Sequence, residues 1–421
     1  MATLLQSTIG IRLSILNGPS FSFIPPLLGF ANMPEQRCLY GKNDTVPEEL
    51  WKDKLQTISG SLSIACLVFI ITGATGAVGV FSKLVGPVTT VPLLILLAMS
   101  TIPILDEKLS MHWIGIIMVI TVIIVAVYLE DIEYLISVSL VWALCFILTL
   151  TGLEPEEGPA RTDKAASIKV LRESPWFQVP YPFWFGSPTI SLGVMFGFMA
   201  SCCASIIENL GAYSLAVRVS RQRRMPRSTV NRAVIVEGLG SVLASIFGVC
   251  TGVTTYTENV ALIHLTKNGS RFTMQIAGLL LIALGLFTKS AAVLASIPDP
   301  ILGGILCLGM SMIAGVAIGQ LQTIDLKMTR NVAIIGFSVL LGMVIPTHFV
   351  KNPVNTGNMT MDSILGMLLT IKMLIGGGIG FILDNTVPGA SREQRGLKEE
   401  HDDGDFDPDD DGYAFPHIVN K

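Results

Sequence analysis

Long apolar runs recur along the chain, and each is close to the roughly 20 residues that a helix needs to cross a bilayer. Short polar or charged segments separate these runs, so the pattern predicts a series of membrane-spanning helices rather than soluble domains. The predicted spans are 56–74, 82–103, 111–129, 134–153, 189–215, 233–250, 273–296, 301–320, 330–346 and 361–384. The chain begins at Met1 already inside an apolar stretch and shows no cleavable signal, so we expect this start to lie within a span.

The composition agrees with this pattern. Hydrophobic residues make up 51% of the chain and charged residues only 14%, whereas a soluble domain usually carries about 25% charged residues. Much of the acid lies in the segment 389–421, which we expect to be a solvated, disordered tail. No basic patch typical of nucleic-acid binding stands out, and the histidines and cysteines form no nucleophile–base or metal-ligand pattern. The sequence therefore predicts no enzyme, no metal centre, no cofactor and no nucleic-acid partner.

The orientation in the membrane follows from one basic loop and one sequon. The segment 218–232 carries six arginines and no acid, which makes it cytoplasmic by the positive-inside rule. Counting spans backward puts the polar loop at 35–55 outside, where Asn43 begins an acceptor sequence for N-glycosylation. Counting forward puts the acidic tail inside. We therefore expect a multi-pass protein of the plasma membrane with a cytoplasmic C-terminus.

Two segments do not fit ordinary spanning helices. Residues 15–26 are interrupted by glycine and proline, and residues 252–265 join a β-prone stretch to a short apolar one. Non-helical backbone at membrane depth is tolerated only where it is buried in protein or lines a cavity. Interrupted segments in both halves of a chain point to a transporter binding site. The alternative is a pair of extramembrane loops, which Glu258 within the second segment disfavours.

One carboxylate is predicted deep in the membrane. Glu208 precedes the first cytoplasmic arginine by about ten residues, hence by about 15 Å along a helix. A charge at such depth costs on the order of 2.5–3.5 kcal/mol, so Glu208 should face a cavity or a partner. It can accept two N–H groups of a planar ring, and it can carry a coupling proton. The alternative is a carboxylate satisfied by neighbouring backbone.

Other ionisable groups have weaker signals. Glu258 and Asn259 lie at a predicted strand-to-helix junction, where a helix N-terminus favours an anionic group; Glu258 can instead be a simple N-terminal acid. Glu237 follows Arg232 by five residues, and we expect this pair to be structural. His264 is expected to pack or lie at the interface rather than to relay protons.

The stretch from Glu258 to Lys267 resembles the signature of the nucleobase–ascorbate transporter family, which includes solute carrier family 23. That signature is Gln, Glu or Pro, then Asn, any residue, Gly, four free positions, Thr, and a basic residue or Gly. Every fixed position matches, including Thr266, except that Ala261 replaces the glycine. Supporting matches lie at 204–211, 231–238, 296–304 and 381–389, and the resemblance covers about residues 1–391.

The resemblance implies an all-α polytopic fold of two inverted seven-span repeats, divided into a core and a gate, with short strand–half-helix segments and elevator transport. The implied divisions are core at 1–34, an extracellular loop at 35–55, core at 56–80, gate at 81–153, an extracellular loop at 154–188, core at 189–296 and gate at 297–388. Substrate-binding positions carried over from the family are Phe21, Glu208, Thr257, Glu258 and Asn259. The resemblance also suggests a homodimer.

Departures from the family pattern bear on the substrate and the coupling ion. Ascorbate-carrying relatives usually show Pro-Asn at the signature, whereas Glu258-Asn259 is typical of uracil and xanthine carriers. Because a second carboxylate can accept another ring N–H, we expect a nucleobase such as xanthine, uric acid or uracil. Sodium-coupled animal relatives carry an acid at the position of Ala212, so its absence favours H⁺ over Na⁺. The alternatives are a sodium-dependent ascorbate transporter and an anion exchanger or channel of the same fold.

By resemblance, the family's first span and the start of its second are missing before Met1. The predicted spans 111–129 and 134–153 are also joined by a shorter connection than relatives have. We therefore expect an N-terminally incomplete chain, and a non-transporting truncated form is a further alternative.

Overall fold

The computed structural model describes residues 1–32, 46–128, 133–155, 158–220, 222, 225–256, 259–260, 263 and 269–397. Its first helices are α1 (Ala2–Thr8), α2 (Ile24–Asn32), α3 (Glu48–Ala65), α4 (Leu67–Ala74), α5 (Ala77–Phe81), α6 (Pro87–Ser100), α7 (Ile102–Ser110), α8 (Ile114–Tyr128), α9 (Glu133–Leu150) and α10 (Ala165–Glu173). The later helices are α11 (Leu192–Val219), α12 (Arg227–Ile246), α13 (Arg271–Leu286), α14 (Thr288–Leu294), α15 (Asp299–Leu321), α16 (Thr329–Lys351), α17 (Met359–Thr370) and α18 (Lys372–Thr386). Two short strands, β1 (Asn17–Pro19) and β2 (Val253–Thr255), complete the fold.

The helical content confirms the prediction of a polytopic membrane protein. Among the described residues, six helical segments are long and apolar enough to cross a bilayer. They are Glu48–Ala74, Pro87–Ser110, Leu192–Val217, Arg227–Ile246, Asp299–Leu321 and Thr329–Lys351. Two further pairs of helices pass the same test together but are bent, by 90° between α13 and α14 and by 72° between α17 and α18.

These two bends differ from the straight spans predicted at 273–296 and 361–384. The first lies at Phe287, whose φ of −89° and ψ of 79° leave the helical region. Its ring lies 5.7 Å from that of Trp176 and 5.5 Å from that of Phe177. Thr288 then donates to the carbonyl of Pro175 at 2.6 Å. Contacts with the loop before α11 therefore hold the bend, and an apolar run by itself does not reveal such contacts.

The two interrupted segments meet as an antiparallel pair of strands. Asn17 pairs with Thr255, Gly18 with Thr254, and Pro19 with Val253. The pairing continues beyond the strands, since Ser20 N–H donates to Gly252 O at 2.9 Å. After β1 the chain forms a short 3₁₀ turn at Phe21–Phe23 and enters α2. Pairing satisfies backbone groups that would otherwise be costly in a low-dielectric interior.

Helix α11 connects two groups of helices. It packs on α2, α3, α4, α17 and β2, and it also packs on α6 and α18. Around the second contact, a buried cluster combines leucines of α6 with Ala200 and Ala204 of α11 and with Met310, Ile313 and Ala317 of α15. The core therefore lies along both sides of α11.

Apolar side chains cover the outer faces of several helices. On α8, Ile116, Ile120, Ile123 and Ile124 are each at least half exposed, at positions that share one face of the helix. A face of this kind is unfavourable in water and favourable against lipid tails. The same pattern occurs on α13 at Leu279, Leu280 and Leu284.

The chain after α18 folds back onto the helices. Asp384, whose side chain is fully buried, accepts from Arg330 at 3.1 Å and from both Nε and Nη2 of Arg395 at 2.9 Å. Leu397 is buried beside Gly86 at the start of α6. The predicted tail at 389–421 thus begins with a packed segment, which we call the C-terminal strap (residues 391–397); the acidic residues that follow it lie outside the described residues.

Candidate functional site

Glu208 lies where α11 meets the 3₁₀ turn after β1. Its side chain is buried, and the residue is 4% exposed. Ser22 Oγ donates to Glu208 Oε2 at 2.7 Å. Ser22 is held in turn by the start of the turn, because its backbone N–H donates to Ser20 Oγ at 3.2 Å. The structure therefore brings the predicted carboxylate of α11 next to the first interrupted segment.

Phe21 precedes this serine and is half-buried. Its side chain packs on the buried cluster shared by α6, α11 and α15. Phe21 therefore lies in the 3₁₀ turn that packs on α11, directly before Ser22, the donor to Glu208. Their roles in binding stay predictions.

Asn259 is the other predicted site residue that the structure describes. It is buried, and its Nδ2 donates to the carbonyl of Ser14, just before β1, at 3.3 Å. This bond connects the second interrupted segment to the first. The remaining predicted positions lie outside the described residues: Thr257, Glu258, Ala261, Thr266, Lys267 and the glycosylation site Asn43.

A buried polar network lies beside the strands, and sequence reasoning missed it. Glu237 of α12 is fully buried and accepts from Thr255 Oγ1 at 2.8 Å and from Asn17 Nδ2 at 3.3 Å, both on its Oε1. Its other oxygen accepts from Asn209 Nδ2. Asn209 Oδ1 accepts from Thr254 Oγ1 at 2.6 Å. The network fastens α11 and α12 to both strands.

The structural role predicted for Glu237 agrees with this network, but Arg232 is not one of its partners. Arg232 Nε instead donates to the carbonyl of Gly10 at 2.9 Å. Three neutral side chains, on β1, β2 and α11, donate to Glu237, so the carboxylate needs no cation nearby. The sequence does contain a signal for this network, namely polar residues inside apolar segments. The clearest is Asn209, which directly follows Glu208.

A cavity of about 300 Å³ opens one helical turn along α11 from Glu208. Its walls include Gly211 and Ser214 of α11, Thr90 of α6 and Gln320 of α15. The C-terminal strap contributes Gly396 and Leu397. None of the lining side chains that the structure describes is charged. The other walls are mostly apolar, and an uncharged cavity of this size accommodates a small planar molecule.

In the described part of the chain, no group of three or more His, Cys, Asp or Glu side chains is arranged to hold a metal ion. Ala212, which bears on the expected coupling ion, is fully buried on α11.

Comparison with known proteins bears on the whole chain. A sequence model of the permease family matches residues 1–351. Mouse solute carrier family 23 member 2 is 34% identical over an alignment of 435 positions, which covers 95% of this chain and 67% of that protein. Mouse solute carrier family 23 member 1 is 31% identical, with 94% and 72% covered. Nucleobase-ascorbate transporter 3 of Arabidopsis thaliana is 30% identical, with 100% and 80% covered.

Proposed function

This chain belongs to the nucleobase–ascorbate transporter family, and from that membership we propose that it carries a nucleobase across the membrane by cation symport. It is a transporter embedded in the bilayer, and its substrate is a small molecule. The proposed substrates are purines or pyrimidines with ring N–H groups, such as xanthine, uric acid or uracil. The proposed role is transport and not catalysis.

One observation carries the choice of substrate. Glu208 is buried, is oriented by Ser22, and lies one turn from a cavity whose described lining has no charge. A carboxylate accepts N–H groups, and a neutral cavity suits a neutral ring better than it suits an anion. Glu258 and Asn259 at the signature add a second acceptor and an amide in the sequence, and Phe21 and Thr257 complete the proposed binding set.

The proposed cycle moves α11 and the strands as a core past α6 and α15 as a gate. Small side chains at this contact support it, because Ala200 and Ala204 are the buried residues that α11 contributes there. Small side chains interdigitate little, which leaves fewer contacts to break during sliding. Glu208 is the proposed carrier of the coupling proton. Na⁺ is the alternative ion, and Ala212 offers it no side-chain oxygen.

Ascorbate is the second candidate substrate, because the Arabidopsis relatives are named nucleobase-ascorbate transporters. Uptake of radiolabelled xanthine, uracil and ascorbate by cells that express the chain separates the two, with Na⁺ present or replaced by an organic cation. We expect saturable base uptake that persists without Na⁺ and is lost in Glu258→Gln. Ascorbate uptake that survives Glu258→Gln contradicts the nucleobase assignment, and a strict need for Na⁺ contradicts proton coupling.

The proposed setting is the plasma membrane, with Asn43 glycosylated outside, the C-terminus in the cytoplasm and two copies forming a dimer. An enzyme that removes N-glycans should increase the gel mobility of the wild type and leave Asn43→Gln unchanged. An epitope after Lys421 should stain only in permeabilised cells. Staining of intact cells contradicts the proposed orientation.

A further inference from the structure

A buried amide faces α11 across the cavity. Gln320, near the end of α15, is 8% exposed, and Thr90 of α6 is 4% exposed. Thr90 Oγ1 donates to Gln320 Oε1 at 2.5 Å. This bond holds the oxygen of the Gln320 amide against α6. The nitrogen of the same amide therefore faces the cavity and Gly211.

The distances place this nitrogen close to the backbone of α11. A Cβ built on Gly211 would lie 3.4 Å from Gln320 Nε2 and 3.7 Å from Thr90 Cγ2. Among the described residues, Gln320 Nε2 donates to no acceptor, whereas Gln320 Oε1 accepts from Thr90. An N–H group removed from bulk water is costly without an acceptor. Such a donor on a cavity wall is suited to an acceptor atom of a ligand.

The position along α11 relates this donor to Glu208. Gly211 follows Glu208 by three residues, so the two lie on one face of the helix and are about 4.5 Å apart along its axis. A molecule that leaves Glu208 toward the end of α11, where the arginine-rich segment 218–232 begins, meets Gln320 next. Glu208 can only accept when ionised, and Gln320 Nε2 can only donate.

We propose that Gln320, held by Thr90, is a further substrate contact, which donates to a ring carbonyl oxygen as the substrate moves between Glu208 and the cytoplasm. The inference rests on the proposed transport function. It adds a contact for the carbonyl oxygen of the substrate ring, whereas Glu208 contacts the N–H edge of that ring. The substrate class is a small planar ring that carries both an N–H donor for Glu208 and a carbonyl acceptor for Gln320. Gln320 touches the substrate, and Thr90 is a positioning residue that acts through Gln320.

The test is equilibrium binding of radiolabelled xanthine, and separately of ascorbate, to the purified full chain. Gln320→Leu keeps the size of the side chain and removes the donor, and we expect xanthine affinity to fall about five- to tenfold. Thr90→Val should lower it less, and the double variant should bind no worse than Gln320→Leu. Gln322→Leu is the matched control, because Gln322 is exposed two residues further on and does not line the cavity.

Thermal unfolding of the same variants separates binding from folding. Gln320→Leu removes the acceptor of the buried Thr90 hydroxyl, so we expect it to unfold no higher than the wild type, and we expect the double variant, which removes both partners, to recover part of any loss. Unchanged xanthine affinity in Gln320→Leu, or a loss of stability with additive effects of the two substitutions, overturns the inference. If ascorbate binds instead of xanthine and Gln320→Leu weakens it, the contact of Gln320 with a carbonyl oxygen stands, whereas the N–H donor for Glu208 and the nucleobase proposal are overturned. Failure of the wild type to bind either compound overturns both.

Discussion

Two buried glutamates lie close together in the fold and are satisfied in different ways. Glu237 accepts from three side chains, which belong to β1, β2 and α11. Glu208 accepts from Ser22, and a cavity opens one helical turn further along α11. A carboxylate surrounded by fixed donors holds elements together, whereas one near a cavity is within reach of a ligand. These surroundings support a scaffold role for Glu237 and the proposed binding role for Glu208.

The role of Glu237 predicts the effect of Glu237→Gln. The amide of glutamine offers one acceptor oxygen and brings two N–H groups to a place that three donors already occupy. We expect the free energy of unfolding to fall by about 1–3 kcal/mol, measured by denaturation of the purified protein in detergent. Glu173→Gln at an exposed position of α10 is the control. Equal stability of the two variants contradicts the network.

At the scale of elements, the sequence predicts the type of each segment better than its geometry. Apolar runs of about 20 residues mark spans because a helix must match the bilayer thickness. Glycine and proline at 15–26 and β-prone residues at 252–256 mark the interrupted segments. The register Asn17 to Thr255 cannot be read from either segment alone, because it is fixed by side chains of α11 and α12 that are distant in the chain. The same holds for the bend at Phe287.

Close packing of α6, α16 and α18 predicts a contrast between two glycines of α18. A Cβ on Gly376 would lie 2.7 Å from the backbone oxygen of Ser338 and 2.0 Å from Leu96 Cδ1, whereas Gly378 has no atom within 4 Å of that position. Gly376→Ala should destabilise the protein by about 1–3 kcal/mol through overpacking. Gly378→Ala should be neutral or stabilise it by up to about 1 kcal/mol, since alanine favours helix.

Thermal unfolding in detergent measures this contrast between the two alanine variants. Both substitutions add the same methyl group to the same helix. The difference in melting temperature between the two variants therefore measures the cost of packing that methyl group at Gly376. A melting temperature for Gly376→Ala equal to that of Gly378→Ala contradicts the close contact of α18 with α16.

At the scale of the whole molecule, Asp384 fastens the C-terminal strap to the helices. Arg330 and Arg395 are 9% and 15% exposed, and both donate to this one buried carboxylate. Asp384→Asn leaves two largely buried cations without a counter-charge, which costs about 3 kcal/mol. We expect the strap to detach and trypsin to cut faster at Arg392 and Arg395.

Time courses of trypsin cleavage, followed by mass spectrometry of the C-terminal fragments, measure this release. Asp106→Asn is the control, since Asp106 is exposed on α7. Cleavage of Asp384→Asn at the wild-type rate contradicts the clamp. The acidic composition of 389–421 predicts a disordered segment. Composition alone cannot predict the contact between Arg395 and Asp384, because it depends on how the chain folds back.

The sequence also predicts part of the site at this scale. The depth of Glu208 follows from its distance to the arginine-rich loop, and its family position follows from the motif. Its partner Ser22 and the donor Gln320 belong to elements far away in the chain, and only the packing of α11 brings them to the same face. Polar residues without charge, such as these two, carry too little signal in a sequence to be singled out.

The central claim is that Glu208, oriented by Ser22, binds the N–H edge of a nucleobase, and equilibrium binding of radiolabelled xanthine to the purified chain tests it most directly. A hydrogen bond to a charged group contributes about 1.5–3 kcal/mol. Glu208→Gln, which removes the charged acceptor of the ring N–H, should therefore weaken binding about tenfold or more. Ser22→Ala removes only the bond that orients Glu208 and should weaken binding less, while Glu173→Gln binds as the wild type does. Wild-type affinity for xanthine in Glu208→Gln contradicts the account.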